Sequence, residues 1–505
     1  MRASLRRLRL LPGGLAILIL SAGCSSIPAG APAPALLAGA PEQPTSLRLA
    51  VAPCEITLAD EEQPKGYRPV EAVDVNALSD ELSRWVAAAG VFPSVRLASG
   101  EDHAAQLDDA WEAREDLLLS IDLRRFRTRY EGHNGWWIPN LLNWFFFLVP
   151  SWFVATEEYT LAFTAHYTVF SVGSSRPLHT GELDVSVGGS FDEFDRGFQL
   201  LGFISPSNEA DNWRLIVEKL IPAARASLGE QLAEALRGPF LEHLNSGTLR
   251  REMKKSLALV VGVTHYQDAD KYPPVPFAAN DARAVSAALT RTEAGPALAP
   301  RQVTLLVGND ASRERVEEAF AELAGRARPG DHVLVYFAGY GFRSKSGSAY
   351  LLLNHVKGAS SLALSELGAL MAKVPGEKLL VLDCGFDGQG RSKGSRALDA
   401  DKAGAELESV AEAAGAAVLA SSSPKTACLA LSHLEAGLFT HHLVDGLGGA
   451  ADRDANGGLT HAELYAYLED RVVAESSYVG SPQTPLAGGL SATNFELTLV
   501  AGAEE

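Results

Sequence analysis

The first half of the chain combines alternating and continuous apolar stretches with two longer stretches of helical spacing. Helices are predicted at 76–91 and 212–237, and Pro222 is expected to kink or break the second one. Strands are predicted where apolar residues alternate or run together, at 46–55, 95–98, 117–130, 158–172 and 181–187. This order of elements predicts a smaller α/β (α+β) domain over residues 46–245.

Continuous apolar runs dominate the second half of the chain. Strands are predicted at 257–263, 302–307, 333–337, 378–383 and 416–421, with helical stretches between them. Apolar strands that alternate with helices are typical of a doubly wound, mostly parallel sheet whose strands are buried on both faces. The domain boundary is predicted around 238–255, where Ser246-Gly247 opens a polar connector, and the second domain is predicted over 256–500. A short strand at 349–353 is expected outside its main sheet.

Two of these buried strands end in loops that contain glycine. The run 333–341 (VLVYFAGYG) closes on a Gly-Tyr-Gly turn at Tyr340, and 378–383 (KLLVLD) leads into Cys384 and Gly385. The loops that follow the carboxyl ends of parallel strands are where α/β proteins place their chemistry. We therefore expect these two loops to lie side by side and to form the site.

The two stretches resemble the signature strands of caspase-like cysteine peptidases (peptidase family C14, including metacaspases and bacterial relatives). In that family the first strand ends Tyr-Phe-x-Gly-His-Gly with a general-base His, and the second ends Asp-x-Cys-x-x-Gly with a nucleophilic Cys. Here the His position is Tyr340 and the Cys position is Gly385. The resemblance covers 256–473. It implies the caspase-like fold and, with both catalytic positions substituted, a pseudopeptidase that binds a peptide or protein or acts as a scaffold.

A working enzyme is the alternative interpretation. An active endopeptidase cleaving after Arg or Lys would need Cys384 as a displaced nucleophile and His265, just past the first strand, as its base. Cys384 lies one residue before the family's Cys position, so strand alternation is expected to turn it away from the cleft. Tyr340 would be a poor base at neutral pH, since a phenol has a pKa of about 10.

Two acidic residues match family positions that line an acidic specificity pocket. They are Asp281, in an Asn-Asp-Ala segment, and Asp383, at the end of the second signature strand. The resemblance implies a substrate-binding pair for a guanidinium or ammonium group. The alternative is that Asp281 caps the following helix and Asp383 accepts backbone amides of its own loop.

The segment 452–463 (DRDANGGLTHAE) has the ligand spacing of an EF-hand loop, which indicates calcium as a cofactor. The six coordinating positions are Asp452, Asp454, Asn456, the Gly458 carbonyl, Thr460 and Glu463. However, 446–450 (GLGGA) stands where an EF-hand has its incoming helix, so a helix-capping loop without metal is the alternative. The nearby His441 and His442 have no Cys or carboxylate at zinc-like spacing and are expected on a helix surface.

The amino terminus has the pattern of a bacterial lipoprotein. Residues 1–23 combine a basic head, an apolar run and small residues, which predicts a signal peptide. Ser-Ala-Gly-Cys before and at Cys24 resembles a lipobox and predicts lipidation there, with simple cleavage or retention as an anchor as alternatives. Residues 24–45 read as a flexible tether. The predicted location is the bacterial envelope, as an outer-membrane lipoprotein facing the periplasm.

Residues 134–156 contain no charged side chain and are crowded with Trp and Phe. Tryptophan is favoured at membrane surfaces, whereas Pro139 and Pro150 argue against a straight helix. We expect an aromatic hairpin, from Trp136 to Trp152, that dips into the bilayer surface or docks on a partner. A loop folded onto its own domain and a membrane span are the alternatives. The domain around it distantly resembles envelope lipoproteins of the curli-secretion-pore type in architecture alone.

Composition narrows these interpretations. The apolar fraction of 47% is that of a globular protein, and a net charge of −18 argues against a broad nucleic-acid surface. Four cysteines are too few for a disulfide scaffold, so Cys54 and Cys428 are expected as buried small apolar residues. A third interpretation is a calcium-responsive assembly factor in which the aromatic segment is the working part.

Overall fold

The chain divides into two compact units. The structure, a computed structural model, describes residues 45–57, 73–146, 152–192, 209–245, 253–266, 272, 274–291, 298–344, 348–355, 358–385, 400–422, 428–491 and 493–499. The first unit comprises Met1–His103, Leu117–Val169 and His179–Glu242, and the second Ala104–Asp116, Phe170–Leu178 and His243–Glu505. The predicted signal peptide, Cys24 and nearly all of the tether lie outside the described residues.

A mixed sheet is the centre of the first unit. Its strands are β1 (Leu49–Val51), β2 (Glu55–Ile56), β3 (Val95–Leu97), β4 (Leu117–His133), β5 (Glu157–Ser171) and β6 (Pro177–Phe191). They are ordered β3-β1-β4-β5-β6, with β2 beside β4, and β1 runs parallel to both of its neighbours. The α/β fold class predicted from the sequence is confirmed.

The first helix, α1 (Val75–Ala88), follows directly from its sequence. Asp74 accepts a hydrogen bond from the Ala77 amide at 3.0 Å and so caps its amino end. Leu78, Leu82 and Trp85, at helical spacing, are all buried.

Two other helices differ from expectation. The long helix α4 (Glu209–Ala235) passes through Pro222 without interruption and is followed by α5 (Leu241–Asn245). Pro222 is exposed, so water can reach the carbonyl that a proline leaves without a donor. The short helix α2 (His103–Glu112) was not predicted, because ten residues carry too few repeats of the helical period.

The described part of the aromatic segment contains a helix. Helix α3 (Trp137–Phe146) joins β4 to β5, and Pro139 is accommodated because it falls in the first turn, where backbone amides have no helical acceptor. Ile138 is 64% exposed and Leu142 58% exposed. Among the helices that the structure describes, none combines the length and apolar character needed to cross a membrane.

The second unit is built on the predicted parallel sheet. Its strands are β7 (Ser256–Gly262), β8 (Val303–Val307), β9 (His332–Ala338), β13 (Glu377–Asp383), β14 (Ala416–Ala420) and β18 (Leu486–Gly488). The order is β18-β14-β13-β9-β7-β8, and β18 alone among these pairs antiparallel, with β14. Its helices are α6 (Ala278–Thr290), α7 (Arg313–Arg326), α8 (Leu364–Ala372), α9 (Ala400–Ala414), α10 (Leu438–Asp445) and α11 (His461–Tyr478).

Smaller sheets surround this core. The strands β10 (Gly341–Arg343), β11 (Ala349–His355) and β12 (Gly358–Ala363) form a separate three-stranded sheet, and β11 includes the predicted outlying strand. Two short pairs follow, β15 (Ala430–Leu431) with β16 (Ala436–Gly437), and β17 (Gly458–Thr460) with β19 (Glu496–Thr498).

Candidate functional site

The central sheet brings the two signature loops to one edge, as the sequence predicted. In the register of the parallel strands, Ala338 at the end of β9 pairs with Asp383 of β13 on one side and Gly262 of β7 on the other. Tyr340 and Gly385 each lie two residues beyond this row. The positions that correspond to the family's His and Cys are therefore neighbours at the carboxyl edge of the sheet.

Tyr340 is packed into this edge rather than displayed on it. Tyr340 is 4% exposed, and its backbone amide donates a hydrogen bond to the Tyr266 hydroxyl at 2.9 Å. The rings of Tyr266 and Tyr272 lie 6.2 and 5.9 Å from the Tyr340 ring and stand nearly perpendicular to it. A phenol packed among aromatic rings in this way is not displayed toward a bound substrate, as a general base must be.

The proposed substitute dyad is not assembled. Cys384 is 1% exposed and Gly385 is also buried, whereas His265 is exposed. No hydrogen bond links His265 to Cys384 in the part of the chain that the structure describes. A thiolate nucleophile needs both solvent access and an adjacent base. Cys384 is buried, and His265 is not hydrogen-bonded to it.

The two acidic residues are buried and engaged with the segment that leads into α10. Asp281 is 1% exposed and accepts a hydrogen bond from the Gly437 amide, at 3.1 Å to Oδ1 and 3.3 Å to Oδ2. Asp383 is also 1% exposed, and its Oδ2 accepts from the Thr440 hydroxyl at 2.5 Å. Asp281 lies in the first turn of α6, whose N-cap is Phe277, so it does not cap that helix. These contacts have the character of structural roles.

The acidic loop at 452–463 brings together carboxylates that are far apart in the EF-hand numbering. Oxygens of Asp452, Asp454 and Glu463 lie within 4.8 Å of one another. The Asp452 Oδ2 accepts from the Gly457 amide at 3.0 Å, while its buried Oδ1 has no hydrogen-bond partner. This set of hard oxygen donors suits a cation such as Ca²⁺.

The same loop also caps a helix, so the two sequence interpretations are not exclusive. Thr460 is the N-cap of α11, and the Glu463 carboxylate accepts from both the Thr460 hydroxyl, at 2.7 Å, and its amide, at 3.1 Å. The hydroxyl hydrogen bond is the main cause of a lowered pKa for Glu463. This capping box keeps that carboxylate ionised and beside the loop.

Residues Gly446–Ala450 extend α10 by a π-helical turn, but Gly449 has a non-helical φ of 103°, so the helix does not continue unbroken into the acidic loop. In place of a second EF-hand loop, β17 pairs with β19 near the carboxyl terminus.

The expectation of a surface His pair is wrong for one of its members. His442 is 8% exposed, and its Nε2 lies 2.9 Å from a carboxylate oxygen of Glu475 on α11. Donor atoms of His441, His442 and Asp445 lie within 4.8 Å of one another. A partner 33 positions away along the chain cannot be found from residue spacing. Thr440 and Tyr266 were missed for the same reason.

One family model matches a part of the chain. Residues 255–487 match the family model described as the caspase domain of peptidase family C14. No curated protein matches the chain.

Several solved structures show partial likenesses. A structural-genomics protein from Geobacter sulfurreducens is 18% identical, with 50% of this chain and 95% of that chain covered and a TM-score of 0.33. A Xanthomonas campestris protein of the DUF330 family model is 14% identical over 41% and 93% of the two chains, with a TM-score of 0.23. A Helicobacter pylori homolog of a neuraminyllactose-binding hemagglutinin is 11% identical over 42% and 96%, with a TM-score of 0.25. At these TM-scores the likenesses say nothing about the site.

Proposed function

We propose that residues 255–487, which match the caspase-domain family model, form a pseudopeptidase that serves as a peptide- or protein-binding or scaffolding module. The observation that carries the proposal is the state of the two catalytic positions. Tyr340 is buried among aromatic rings, and Gly385 has no side chain to act as a nucleophile. The domain retains a scaffold that orders loops at the sheet edge, without the groups that would cleave a peptide.

The test is turnover of fluorogenic Arg and Lys peptides by the full chain purified in detergent, with and without calcium. We expect no turnover by the chain or by its Cys384→Ala variant, while trypsin cleaves the same peptides. Turnover that disappears in Cys384→Ala would overturn the proposal and establish Cys384 as a displaced nucleophile. Alkylation of the three described cysteines, all buried, should require denaturant.

A retained acidic pocket is the competing form of a binding module. In that form an Arg peptide would bind without being cleaved, and Asp281→Asn would weaken its binding. The control Glu469→Gln, an exposed change on α11, would not affect binding. Because Asp281 is occupied by the Gly437 amide, we expect no such binding unless the segment around Gly437 moves.

We also propose that the loop at 452–463 binds calcium. Convergence of three carboxylates within 4.8 Å supports this proposal. Calorimetry on the full chain should detect one Ca²⁺ site, and Tb³⁺ bound at that site should luminesce until Ca²⁺ displaces it. Since ligand charge sets the affinity of such loops, Asp454→Asn should weaken it at least about tenfold, and Glu469→Gln should not. Equal affinities in both variants would exclude this loop.

Two further proposals concern the envelope location and the membrane partner. We propose that Cys24 carries the lipid anchor and that the segment from Trp136 to Trp152 contacts the bilayer surface. Exposed apolar side chains on and beside α3 support the second part: Trp136, Trp137, Ile138, Leu141, Leu142 and Phe153.

Vesicle flotation separates the anchor from the aromatic segment. The Cys24→Ala chain should still float with vesicles of phosphatidylethanolamine and phosphatidylglycerol. Adding Ile138→Ser and Leu142→Ser should abolish flotation, whereas the matched exposed changes Tyr478→Ser and Val479→Ser should not. Flotation that survives in the first combination would refute the membrane role of this segment.

A further inference from the structure

A cluster of nitrogen and oxygen donors lies on α10, which packs against α11. The ring centroids of His441 and His442 are 5.2 Å apart, and the His441 Nε2 is 3.8 Å from the Asp445 Oδ2. One donor atom from each of these three residues lies within 4.8 Å of the donor atoms of the other two. Two imidazoles and one carboxylate at such distances match the ligand set of many zinc sites.

His442 has a buried ring nitrogen without a hydrogen-bond partner. The residue is 8% exposed, and its Nε2 is bonded to Glu475, but its buried Nδ1 has no hydrogen-bond partner. Buried polar atoms are almost always satisfied, so an unpaired one points to a missing ligand. With Nε2 against the Glu475 carboxylate, Nδ1 is the nitrogen left to coordinate a metal.

We propose that His441, His442 and Asp445 bind a divalent transition metal of the Zn²⁺ class, with Glu475 orienting His442 through its Nε2. A carboxylate on the far nitrogen of a ligating imidazole is the usual outer-sphere arrangement in zinc proteins. Three protein ligands leave a fourth, tetrahedral position for water. Calcium is the wrong ion for this cluster, because it requires six or more oxygen ligands.

The position of the cluster suggests what the metal would do. Helix α10 carries Thr440, which bonds Asp383 at the sheet edge, directly before His441. Through Glu475, the same helix is tied to α11, which begins at the acidic loop. Because all three ligands lie on α10, a bound metal would stabilise the folded position of His442, and with it the hydrogen bond to Glu475 of α11.

The test uses the full chain, purified in detergent without a histidine tag, with Ca²⁺ present in excess to occupy the acidic loop. Calorimetry should show one Zn²⁺ per chain, and Co²⁺ should give the intense visible absorption of a tetrahedral nitrogen–oxygen site. Replacing either exposed ligand, by His441→Ala or Asp445→Asn, should weaken Zn²⁺ binding by about 100-fold or more, and Glu475→Gln by about 10- to 100-fold.

Two control variants make the outcome specific. His433→Ala removes an exposed histidine of the same unit, and Asp454→Asn alters the acidic loop, so neither should change Zn²⁺ affinity. Because His441 and Asp445 have side chains 38% and 50% exposed, loss of binding in their variants cannot be attributed to unfolding, which circular dichroism will verify. Absence of stoichiometric Zn²⁺ binding, unchanged affinity in His441→Ala, or loss of binding in either control would overturn the proposal.

Discussion

At the scale of single residues, Thr440 illustrates how the caspase-like sheet edge is held together. Its hydroxyl donates to Asp383 at 2.5 Å and lies 2.6 Å from the Tyr336 hydroxyl, and all three residues are buried. The carboxylate that the family resemblance links to substrate is thus satisfied from within the fold. A charge buried without such a donor would retain its full desolvation cost.

Thr440→Val should therefore destabilise the second unit by about 2 to 3 kcal/mol, since it keeps the shape but leaves the Asp383 carboxylate without this donor. Urea denaturation followed by circular dichroism measures the change. Thr440→Ser keeps the hydroxyl and should lose far less stability. Equal losses in both variants would show that the methyl group, and not the hydrogen bond, is what matters.

At the scale of elements, the approach of α6 to β7 places Asp281 at the sheet edge. Gly262 ends β7, and a Cβ added there would lie 2.5 Å from the Ala282 Cβ and 2.6 Å from the Ala278 carbonyl oxygen. The helix can lie this close only because the strand presents a glycine. Backbone contact of this kind is a property of the packed pair of elements, not of either one.

Gly262→Ala should accordingly cost about 1 to 3 kcal/mol, because α6 must move off the sheet. The matched variant is Gly368→Ala within α8, where the nearest atom to a new Cβ is 3.5 Å away. That change should be neutral or should stabilise by up to about 1 kcal/mol through helix propensity. The prediction fails if thermal denaturation ranks the two variants in the opposite order.

At the scale of the whole molecule, a half-buried imidazole couples stability to pH. The His332 Nδ1 accepts a hydrogen bond from the Glu496 amide at 3.1 Å and so joins β9 to β19. Burial, followed by the positive charge of Lys254, lowers the pKa of His332, although Glu377 and Asp331 act in the opposite direction. Only the neutral ring can accept this hydrogen bond.

The lowered pKa means that the unfolded chain binds more protons than the folded one once the pH falls below about 6.5. The contribution of His332 to stability is complete above that pH and is lost as the pH drops toward the folded-state pKa. Denaturation midpoints should fall between pH 7.5 and 5.5. In His332→Asn, whose side-chain oxygen can accept the same hydrogen bond without titrating, the fall should be smaller. A fall of the same size would assign the pH dependence to other groups, such as His442.

Local sequence was sufficient for the strands of the central parallel sheet from β7 to β14 and for the family resemblance of the second unit. The apolar runs at β7, β9, β13 and β14 are continuous because each strand is buried on both faces, so pattern and packing carry the same information. The motifs at Tyr340 and Gly385, and the ligand spacing from Asp452 to Glu463, are readable because their members are close along the chain. The helix does not break at Pro222, which is exposed, and α2 was missed because its ten residues carry few repeats of the helical period.

Only the folded chain decided what the marked residues touch. Asp281 meets the amide of Gly437, 156 positions away, and His442 meets Glu475 on another helix. Such distant contacts depend on how elements stack, and no local spacing encodes them. The tertiary structure shows that both predicted pocket carboxylates are buried and hydrogen-bonded within the fold. It also shows that one member of the predicted surface His pair is buried, since burial and hydrogen bonding are set by the neighbours that packing supplies.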